Sequence, residues 1–349
     1  MVTFNVDAPA SCPDGWADWL GRAVEAAGDP AAALQLAPGL AALLPLPGAG
    51  RTRALWEALA DLGSVDLTVA RAVEPHLDAM AILDQAAATP EPPPVAPARS
   101  TWGVFAAEGP GARLEAVGPT AAQRLRGRKP WCSLAGILSH ALVSAWRTDG
   151  QRQLFSVDLR HPGVCPVEAP WVARGLAAVT SGAVDFDDVP AHPVGPPGWY
   201  LERPGFAWGG IGVAAIWWGG AATLLRSMTS AAGARAPDQV ARMLLGQGDA
   251  ALHAAAATLE QASYAVDAGA LQATQAWPRT VRVRHVVHDA CESVLRAAAH
   301  ALGPGPLTAD EDHARRVSDL EVYVRQHKAE RDAVTIGDGL LDGMDSTWG

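Results

Sequence analysis

The sequence predicts an α+β protein of three parts: an N-terminal helical domain (residues 1–98), a middle β domain (99–200) and a C-terminal antiparallel four-helix bundle (201–349). Apolar residues recur at intervals of three and four towards both ends of the chain, which is typical of helices. Short segments of period two, rich in Val, Phe and Trp, fill the middle, and a proline-rich stretch precedes them. With 349 residues, 49% of them hydrophobic, the chain is long enough to bury a large core.

The helices of the N-terminal domain are predicted from a capping residue and from apolar spacing. Asp14 can cap a first helix, and apolar residues recur at three and four over 53–62 and 66–83. In the last of these segments, one stripe consists of Leu67, Ala70, Val73 and Leu77. The stretch 89–98 is too rich in proline for a helix or a central strand, because proline lacks an N–H donor and fixes φ. We expect it to be an extended connector.

The β domain is predicted to run from Ser100 to about Pro197. Its clearest strands are the apolar segments 141–146 and 154–159, and Gly, Asp and Pro residues between the segments signal turns. Such alternation of strands and turns predicts a compact β domain.

Long amphipathic helices are predicted in the alanine-rich C-terminal part. One apolar stripe consists of Ala251, Ala255, Leu259, Ala262 and Val266. A second stripe consists of Val283, Val287, Cys291, Val294, Ala298 and Leu302. Together with predicted helices near 211–228 and 314–331, these two helices suggest an antiparallel four-helix bundle.

Composition excludes several functional classes. The formal net charge is −10, with 37 acidic and 27 basic residues and no basic block, so we expect no binding to nucleic acid. The four cysteines are scattered without a Cys-x-x-Cys pair, which argues against a disulfide framework and a zinc site and fits the reducing cytoplasm. The first residues lack the basic and apolar regions of an export signal.

An uncharged stretch and a pair of histidines have simple structural explanations, although the first raises the question of a membrane span and the second that of a metal site. The uncharged stretch 204–225 is long enough to cross a membrane, but it contains several glycines and lies inside a globular pattern, so we expect a buried helix. His285 and His288 are three residues apart without a Cys or carboxylate at ligand spacing, so we expect a solvated or core pair and no metal.

The order of motifs between Leu125 and Val189 resembles the middle domain of the acyl-CoA dehydrogenase family. The matching residues are Gly127-x-Lys129-x-Trp131-x-Ser133, Trp171-x-x-x-Gly175-Leu176 and Thr180-Ser181-x-x-Val184-x-Phe186-x-Asp188-Val189. The likeness extends from about Trp102 to Gly339. It implies a β-barrel in the middle domain and FAD bound between the barrel and the bundle. It also implies α,β-dehydrogenation of an acyl thioester, an unknown electron acceptor, and a homodimer or homotetramer.

The resemblance implies that two residues of the β domain contact the flavin ring. Trp131 supplies an aromatic face, and Ser133, at the alternate position of a strand, places a hydroxyl on the same side. The family's Trp-x-Thr/Ser motif lies against the ring and bonds its edge. The alternative is that Trp131 belongs to the barrel core and Ser133 has no special role.

Further flavin contacts follow from the resemblance, each with a structural alternative. Thr180 and Ser181 match a turn that lines the flavin and substrate cleft, although their hydroxyls can also bond their own backbone. Arg235 is similar to the arginine that reaches the FAD phosphates of a neighbouring subunit, and its alternative is a plain charge at a helix end. Gly303 and Gly305 match glycines that let the backbone approach the cofactor closely, and their alternative is a Gly-Pro helix stop.

Asp310, with Glu311 beside it, matches the position of the family's catalytic glutamate. That glutamate removes the α proton of the substrate while a hydride leaves the β carbon. Burial against a flavin raises the pKa of a carboxyl towards neutrality and makes it a competent base. The alternative is that Asp310 caps the helix that follows.

Departures from the family pattern keep two other functions open. The family's Thr-Glu-Pro and Gly-Ser-Asp elements are replaced here by Ala107-Glu108-Gly109 and by residues that lack the hydroxyls, and Pro304 and Pro306 interrupt the glycine loop. One alternative is a flavin oxidase or monooxygenase of nitrogen or sulfur compounds. The other is a non-catalytic relative that serves as a partner subunit.

Overall fold

A computed structural model describes residues 1–5, 7, 12–89, 93, 97–119, 122–234, 237–271 and 276–344. Arg235 and most of the predicted connector 89–98 lie outside the described residues. In the described part, a group of helices is followed by one sheet and then by a second group of helices.

The first group of helices comprises α1 (Trp16–Glu25), α2 (Pro30–Leu43), α3 (Thr52–Val65) and α4 (Leu67–Ala87). The predicted helices 53–62 and 66–83 are confirmed as α3 and α4. Aspartates cap two of these helices: the carboxylate of Asp29 accepts hydrogen bonds from the backbone N–H groups of Ala31 and Ala32, the second and third residues of α2, and that of Asp66 accepts one from Val69 N in α4.

The sheet comprises β1 (Trp102–Phe105), β2 (Leu114–Val117), β3 (Gln123–Lys129), β4 (His140–Arg147), β5 (Arg152–Asp158), β6 (Val164–Pro166) and β7 (Val184–Val194). Strand pairing runs β4–β2–β3–β7–β5 and returns to β4, which closes a barrel of five strands. β1 adds to β4 in parallel, and β6 adds to β7. Leu125, Val143, Phe155 and Val189 are fully buried on these strands. The predicted β-barrel is confirmed.

The second group comprises α5 (Trp199–Glu202), α6 (Pro204–Ala234), α7 (Gln239–Asp267), α8 (Ala276–Leu302), α9 (Pro304–Ala309), α10 (Glu311–Tyr323) and α11 (Ala329–Leu341). The two predicted apolar stripes lie on α7 and α8. The single helix predicted near 314–331 is wrong. The chain breaks there into α10, a 3-10 turn over 324–326 and α11, and this turn buries His327.

Helix α6 lies at the centre of the helical part. A Cβ on Gly219 would lie 1.9 Å from the carbonyl oxygen of Ala60, and one on Gly63 would lie 2.1 Å from that of Ile216. The backbones of α3 and α6 therefore touch, which only glycine permits. Because one hydrophobic core joins helices from both ends of the chain, the division into a separate N-terminal domain and bundle stays a prediction.

The apolar character of α6 is explained by its packing. In the described part of the chain, α6 is the one helix whose length and composition would allow it to cross a membrane. Within its most apolar window, 72% of the residues are buried inside the protein. The buried helix predicted over 204–225 agrees with this packing.

Helix α10 joins the barrel to α4 through one carboxylate. Asp319 Oδ1 accepts a hydrogen bond from Leu176 N at 2.5 Å, and Oδ2 accepts one from the hydroxyl of Thr68 at 3.3 Å. The contact is close, because a Cβ on Gly175 would lie 1.8 Å from the carbonyl oxygen of Ser318. Burial raises the pKa of Asp319 to about 6. These bonds fix the barrel loop against two helices.

Candidate active site

The chain turns out of the sheet directly after strand β3. Trp131 and Leu134 have φ values of +60° and +58°, in the left-handed region, and no strand follows Lys129 until β4. The prediction that Trp131 and Ser133 alternate on one strand face is therefore wrong, because the left-handed residues redirect the chain. Trp131 is 59% exposed, which also excludes the alternative of a barrel-core residue.

Ser133 and Ser181 meet helix α4 at the edge of the barrel. The two hydroxyl oxygens are 2.7 Å apart, and Nη2 of Arg71 donates to Ser133 Oγ at 3.1 Å. Leu134 N donates to the carbonyl oxygen of Thr180 at 2.8 Å, which holds the two loops together. The structure thus brings Ser133 and Ser181 into one site, whereas Thr180 contributes its backbone and is itself exposed.

Arg71 connects these serines to a second charged residue of α4. Its Nη1 lies 3.8 Å from Oε2 of Glu74, and the two side chains are only 16% and 15% exposed. Burial raises the pKa of Glu74 to about 7, although Arg71 opposes the shift. A carboxyl with this pKa both accepts and releases a proton near neutral pH. Glu74 is therefore the carboxylate of the site that is suited to act as a base.

Glu74 and Asp78 line a narrow cleft between α4, α6 and the segment that links α2 to α3. The cleft has a volume of about 50 Å³. The two carboxylates are the charged side chains among the described residues that line it, and the rest is largely apolar. Burial raises the pKa of Asp78 as well, against the effect of Arg203 at 3.3 Å. The cleft is therefore narrow and mostly apolar, with two carboxylates in its wall.

Three polar side chains from other helices are buried near Glu74. The guanidinium carbon of Arg284 lies 4.7 Å from the ring centroid of Trp217, and Nη1 donates to the carbonyl oxygen of Gly210. Burial lowers the pKa of Arg284 to about 10, so it stays a cation at neutral pH. The hydroxyl of Tyr323 and the indole nitrogen of Trp217 have no hydrogen-bond partner among the described residues.

Three histidines form a cluster where α8 meets the turn before α11. His285 Nδ1 lies 3.0 Å from His327 Nε2, and the rings of His288 and His327 are 5.0 Å apart. His327 Nδ1 lies 2.8 Å from Asp332, yet burial lowers the pKa of His327 to about 4. Among the described residues, no group of His, Cys, Asp and Glu side chains has an arrangement that would hold a metal ion. The sequence had indicated only the pair on α8.

Asp310 and Glu311 do not reach this site. The carboxylate of Asp310 accepts a hydrogen bond from His313 N at 3.1 Å and caps α10, and both acidic residues are exposed. The first half of α10 contacts the start of α4, where Arg315 Nη2 lies 3.2 Å from Asp66, whereas Tyr323 at the end of α10 lies near Glu74. The 13 residues of α10, at 1.5 Å each, separate its two ends by roughly 20 Å. The structure therefore supports the capping role of Asp310 rather than its assignment as the catalytic base.

The remaining predicted cofactor contacts are not brought to the site. Gly303, with φ of +64°, stands directly before α9, and Gly305 lies in that helix with open space beside it. Both glycines thus mark a helix boundary, and their contact with a cofactor stays a prediction. Arg235 lies outside the described residues.

The sequence contains one signal that involves Glu74. Arg71, Glu74 and Asp78 recur at intervals of three and four, which gives α4 a charged stripe beside its apolar one. Such a stripe normally faces solvent, but α4 packs between α2, α6 and the barrel, so this face is covered. Tyr323 and Arg284 had no comparable signal.

The residues at the barrel edge fit the ring of a flavin. The isoalloxazine ring needs hydrogen-bond donors at its edge, and the groups of this type here are the hydroxyls of Ser133 and Ser181 and the guanidinium of Arg71. In this structure they bond one another, and the Ser181 hydroxyl also donates to the carbonyl oxygen of Val179 at 3.2 Å. The exposed indole of Trp131 offers an aromatic surface next to them in the chain. The donor set suits the ring whichever nucleotide tail the flavin carries.

Comparison with known proteins gives matches to solved structures alone. No protein-family profile matches the chain, and no curated protein does. A nitrososynthase from Micromonospora carbonacea var. africana is 20% identical, with 98% of this chain and 100% of that chain covered and a TM-score of 0.77. KijD3 in complex with FMN and dTDP-3-amino-2,3,6-trideoxy-4-keto-3-methyl-D-glucose is 20% identical, with 96% and 94% covered and a TM-score of 0.76. Butyryl-CoA dehydrogenase from Megasphaera elsdenii is 16% identical, with 94% and 98% covered and a TM-score of 0.73.

At these identities the likeness concerns the fold. It includes the helices at both ends as well as the barrel, since at least 94% of the chain is covered in each comparison. The resemblance found in the sequence is thereby confirmed at the level of the fold. The chain adopts the acyl-CoA dehydrogenase fold.

Proposed function

We propose that the protein is a flavin-dependent oxidoreductase in which Glu74 is the proton acceptor. One observation carries the proposal: Arg71 donates to Ser133 at the barrel edge and lies 3.8 Å from Glu74, which lines the cleft. Groups suited to a flavin ring and a base suited to a substrate are thus adjacent. Neighbours in fold support it, because one is a butyryl-CoA dehydrogenase and another, KijD3, is in complex with FMN.

The specific reaction we propose is α,β-dehydrogenation of an acyl thioester with FAD as the cofactor. The apolar lining of the cleft holds the acyl chain and excludes water. The carboxylate of Glu74 takes the proton from the α carbon, a role that its pKa of about 7 allows near neutral pH. The flavin, when bound, supplies the acceptor for the hydride that leaves the β carbon. Glu74 thus takes the role that the sequence had suggested for Asp310.

Arg71 acts in this proposal by positioning two groups. Its guanidinium donates to Ser133 through one nitrogen and lies beside Glu74 with the other. Because Arg71 opposes the rise in the pKa of Glu74, it keeps part of that carboxylate ionised at neutral pH. An ionised carboxylate is the form that accepts a proton.

A flavin-dependent oxidation of a nitrogen compound with dioxygen is the second candidate. The observation that favours it is the pair of carboxylates, Glu74 and Asp78, in the wall of the cleft, since carboxylates attract a protonated amine. Two neighbours in fold are a nitrososynthase and KijD3 in complex with an amino-sugar nucleotide. Consumption of oxygen, with formation of peroxide or of an oxygenated product, would select this candidate.

The substitution Glu74→Gln tests the proposed base. Titration with FAD and with FMN, followed by visible absorbance, measures cofactor binding in both proteins. Anaerobic bleaching of the flavin by acyl thioesters of increasing chain length then measures the reaction. We expect E74Q to bind flavin as the wild type does and to be bleached at least about 100-fold more slowly, because loss of a positioned base typically costs that much.

Asp84→Asn is the matched control, because Asp84 is exposed on the same helix and does not line the cleft. We expect D84N to behave as the wild type in both measurements. An E74Q protein that is bleached at the wild-type rate would refute the role of Glu74. Failure of the wild-type protein to take up either flavin would refute the enzyme proposal and favour the non-catalytic partner subunit.

We further propose a homodimer or homotetramer in the cytoplasm. Large apolar side chains exposed near the start of α7 support an association between copies, since Val240 and Met243 are 58% and 51% exposed. Light scattering coupled to size-exclusion chromatography measures the mass in solution, and a monomer would contradict the proposal.

A further inference from the structure

We propose that the hydroxyl of Tyr323 and the guanidinium of Arg284 bind the carbonyl oxygen of the acyl thioester and stabilise the negative charge that develops on it. This rests on the function proposed above, in which Glu74 takes the α proton. It adds one residue of α10 and one of α8 to the groups that act on the substrate. Three features support it: a hydroxyl without a partner, a buried cation without an ion pair, and the place of both beside Glu74.

Tyr323 ends α10 with a buried hydroxyl that has no partner in the described part of the chain. The residue is 1% exposed, and its oxygen forms no hydrogen bond there. A buried hydroxyl without a partner is costly, so its presence in a folded protein indicates that a ligand or a water molecule supplies the partner. Burial raises the pKa of Tyr323 far above its usual range, so the hydroxyl keeps its proton. It can therefore donate to an acceptor atom of a ligand.

Arg284 is a buried cation without an ion pair. The residue is 7% exposed, and its guanidinium pairs with no carboxylate among the described residues. Its one hydrogen bond there goes from Nη1 to the carbonyl oxygen of Gly210, and the next residue of α6, Gly209, lines the cleft. Buried charges are normally paired, because they have lost their hydration. This guanidinium is therefore suited to a ligand atom that carries negative charge.

Both groups lie beside the proposed base. The ring centroid of Trp217 lies 6.2 Å from that of Tyr323 and 4.7 Å from the guanidinium carbon of Arg284. Arg284 favours the ionised form of Glu74, and the charge of Glu74 in turn raises the pKa of Tyr323. The carbonyl carbon of a thioester is bonded directly to the α carbon. A substrate whose α carbon lies at Glu74 thus brings its carbonyl oxygen towards these two donors.

Proton transfer moves the negative charge from Glu74 to the substrate. The bond between the α carbon and its hydrogen breaks, and the proton forms an O–H bond with a carboxylate oxygen of Glu74. The electron pair forms a carbon–carbon double bond while a pair of the carbonyl bond moves to oxygen. Glu74 is then neutral, and Arg71 still donates to Ser133, whereas Arg284 has lost the charge that it stabilised. A negative oxygen beside Arg284 restores the balance of charge, and buried charges interact strongly.

Binding of acetoacetyl-CoA to the protein as purified tests the proposal. This thioester loses a proton from the carbon between its two carbonyl groups, and the ultraviolet absorbance of the enolate measures the extent. At pH 7 we expect the protein to raise the ratio of enolate to ketone at least about 100-fold over that in solution, because a cation and a hydrogen-bond donor both favour the charged form. A ratio equal to that in solution would overturn the proposal.

Tyr323→Phe localises the effect. Because the hydroxyl that it removes has no partner among the described residues, the midpoint of urea unfolding should not fall. The ratio of enolate to ketone should fall at least about tenfold, since a hydrogen bond to a charged oxygen is lost. Tyr264→Phe, at an exposed position on α7, is the matched control and should change neither value. A wild-type ratio in Y323F would overturn the proposal.

Arg284→Gln removes the cation and should lower the ratio at least about tenfold as well. A wild-type ratio in R284Q would overturn the role of Arg284. If R284Q does not fold, the result with Y323F still decides the proposal.

The measurement with acetoacetyl-CoA needs no flavin, so this inference and the proposed function fail separately. A protein that is bleached by thioesters but leaves the enolate ratio unchanged would refute this inference alone. Stabilisation of the enolate without uptake of a flavin would support this inference and refute the oxidoreductase. Failure to bind acetoacetyl-CoA would refute both the inference and the acyl thioester as substrate.

Discussion

Charged residues of this protein lie in two different settings, the outer face of the barrel and the buried face of α4. On the barrel, Arg126 and Asp188 are 2.7 Å apart with side chains 62% and 41% exposed. On α4, Arg71 and Glu74 are 3.8 Å apart and only 16% and 15% exposed. The neighbouring arginines lower the pKa of Asp188, whereas burial raises that of Glu74 to about 7. The shorter distance between charged atoms is thus found in the solvent-exposed pair.

The opposite signs of these pKa shifts show which effect wins in each place. At the surface a carboxylate keeps its hydration and gains a partner, so its charged form is favoured. On α4 the loss of hydration exceeds the attraction of Arg71, so the charged form is disfavoured. A carboxyl held in an unfavourable, buried position beside a cleft is typical of a functional site. This contrast supports the role of Glu74.

Asp319 is buried like Glu74, but both of its carboxylate oxygens accept hydrogen bonds. Asp319→Ala would leave Leu176 N and the hydroxyl of Thr68 without acceptors inside the protein. We expect it to lower the free energy of unfolding by about 3 kcal/mol, the largest effect predicted here. Urea unfolding at pH 7 measures it. Glu321→Ala, an exposed site on the same helix, is the control, and a loss below about 1 kcal/mol in D319A would contradict the prediction.

The parts of the fold that depend on residues close in the chain could be predicted from the sequence. Local signals predicted several of the helices and strands: Asp66 caps α4, and the segments 141–146 and 154–159 lie in β4 and β5. Such signals act between residues close in the chain. The order of motifs over the barrel then predicted the fold, which the structural neighbours confirm.

The site was less predictable because it depends on contacts between distant segments. The strand alternation assumed for Trp131 and Ser133 failed at residues with positive φ, a conformation that their side chains do not signal. Asp310 was assigned from its place in a motif, and the structure uses it as a helix cap. The sequence does not single out Glu74, because one apolar stripe suffices to predict α4 and nothing local reveals that the second face is also covered.

The pH dependence of stability tests the unfavourable burial of Glu74. Its pKa is raised from 4.5 to about 7, so the stability that it contributes is fully present below pH 4.5 and is lost as the pH rises through 7. Glu74→Gln removes this loss. We expect E74Q to match the wild type near pH 4.5 and to be more stable by about 2 kcal/mol above pH 7, somewhat less than the full shift implies because Arg71 loses its partner. Chemical unfolding at several pH values measures the difference.

The matched control for this experiment is again Asp84→Asn, which should follow the wild-type profile at every pH because Asp84 is exposed. An E74Q protein that is less stable than the wild type at pH 8 would show that the ion pair with Arg71 outweighs the cost of burial. In that case the contrast between the two settings would be wrong, and Glu74 would be a structural residue.

The smallest effect is expected at the surface pair. Asp188→Asn removes the negative charge that pairs with Arg124 and Arg126, at 3.0 and 2.7 Å, but Asn tolerates the φ of +53° at this position. We expect no measurable change in the midpoint of unfolding at 0.15 M salt, because exposed ion pairs contribute little. Asp188→Val removes the same charge and places a β-branched residue in the left-handed region, so it should lower the midpoint. Equal losses in D188N and D188V would mean that the charge itself stabilises the barrel. The contribution of an ion pair to the stability of this protein would then depend on its distance rather than on its burial.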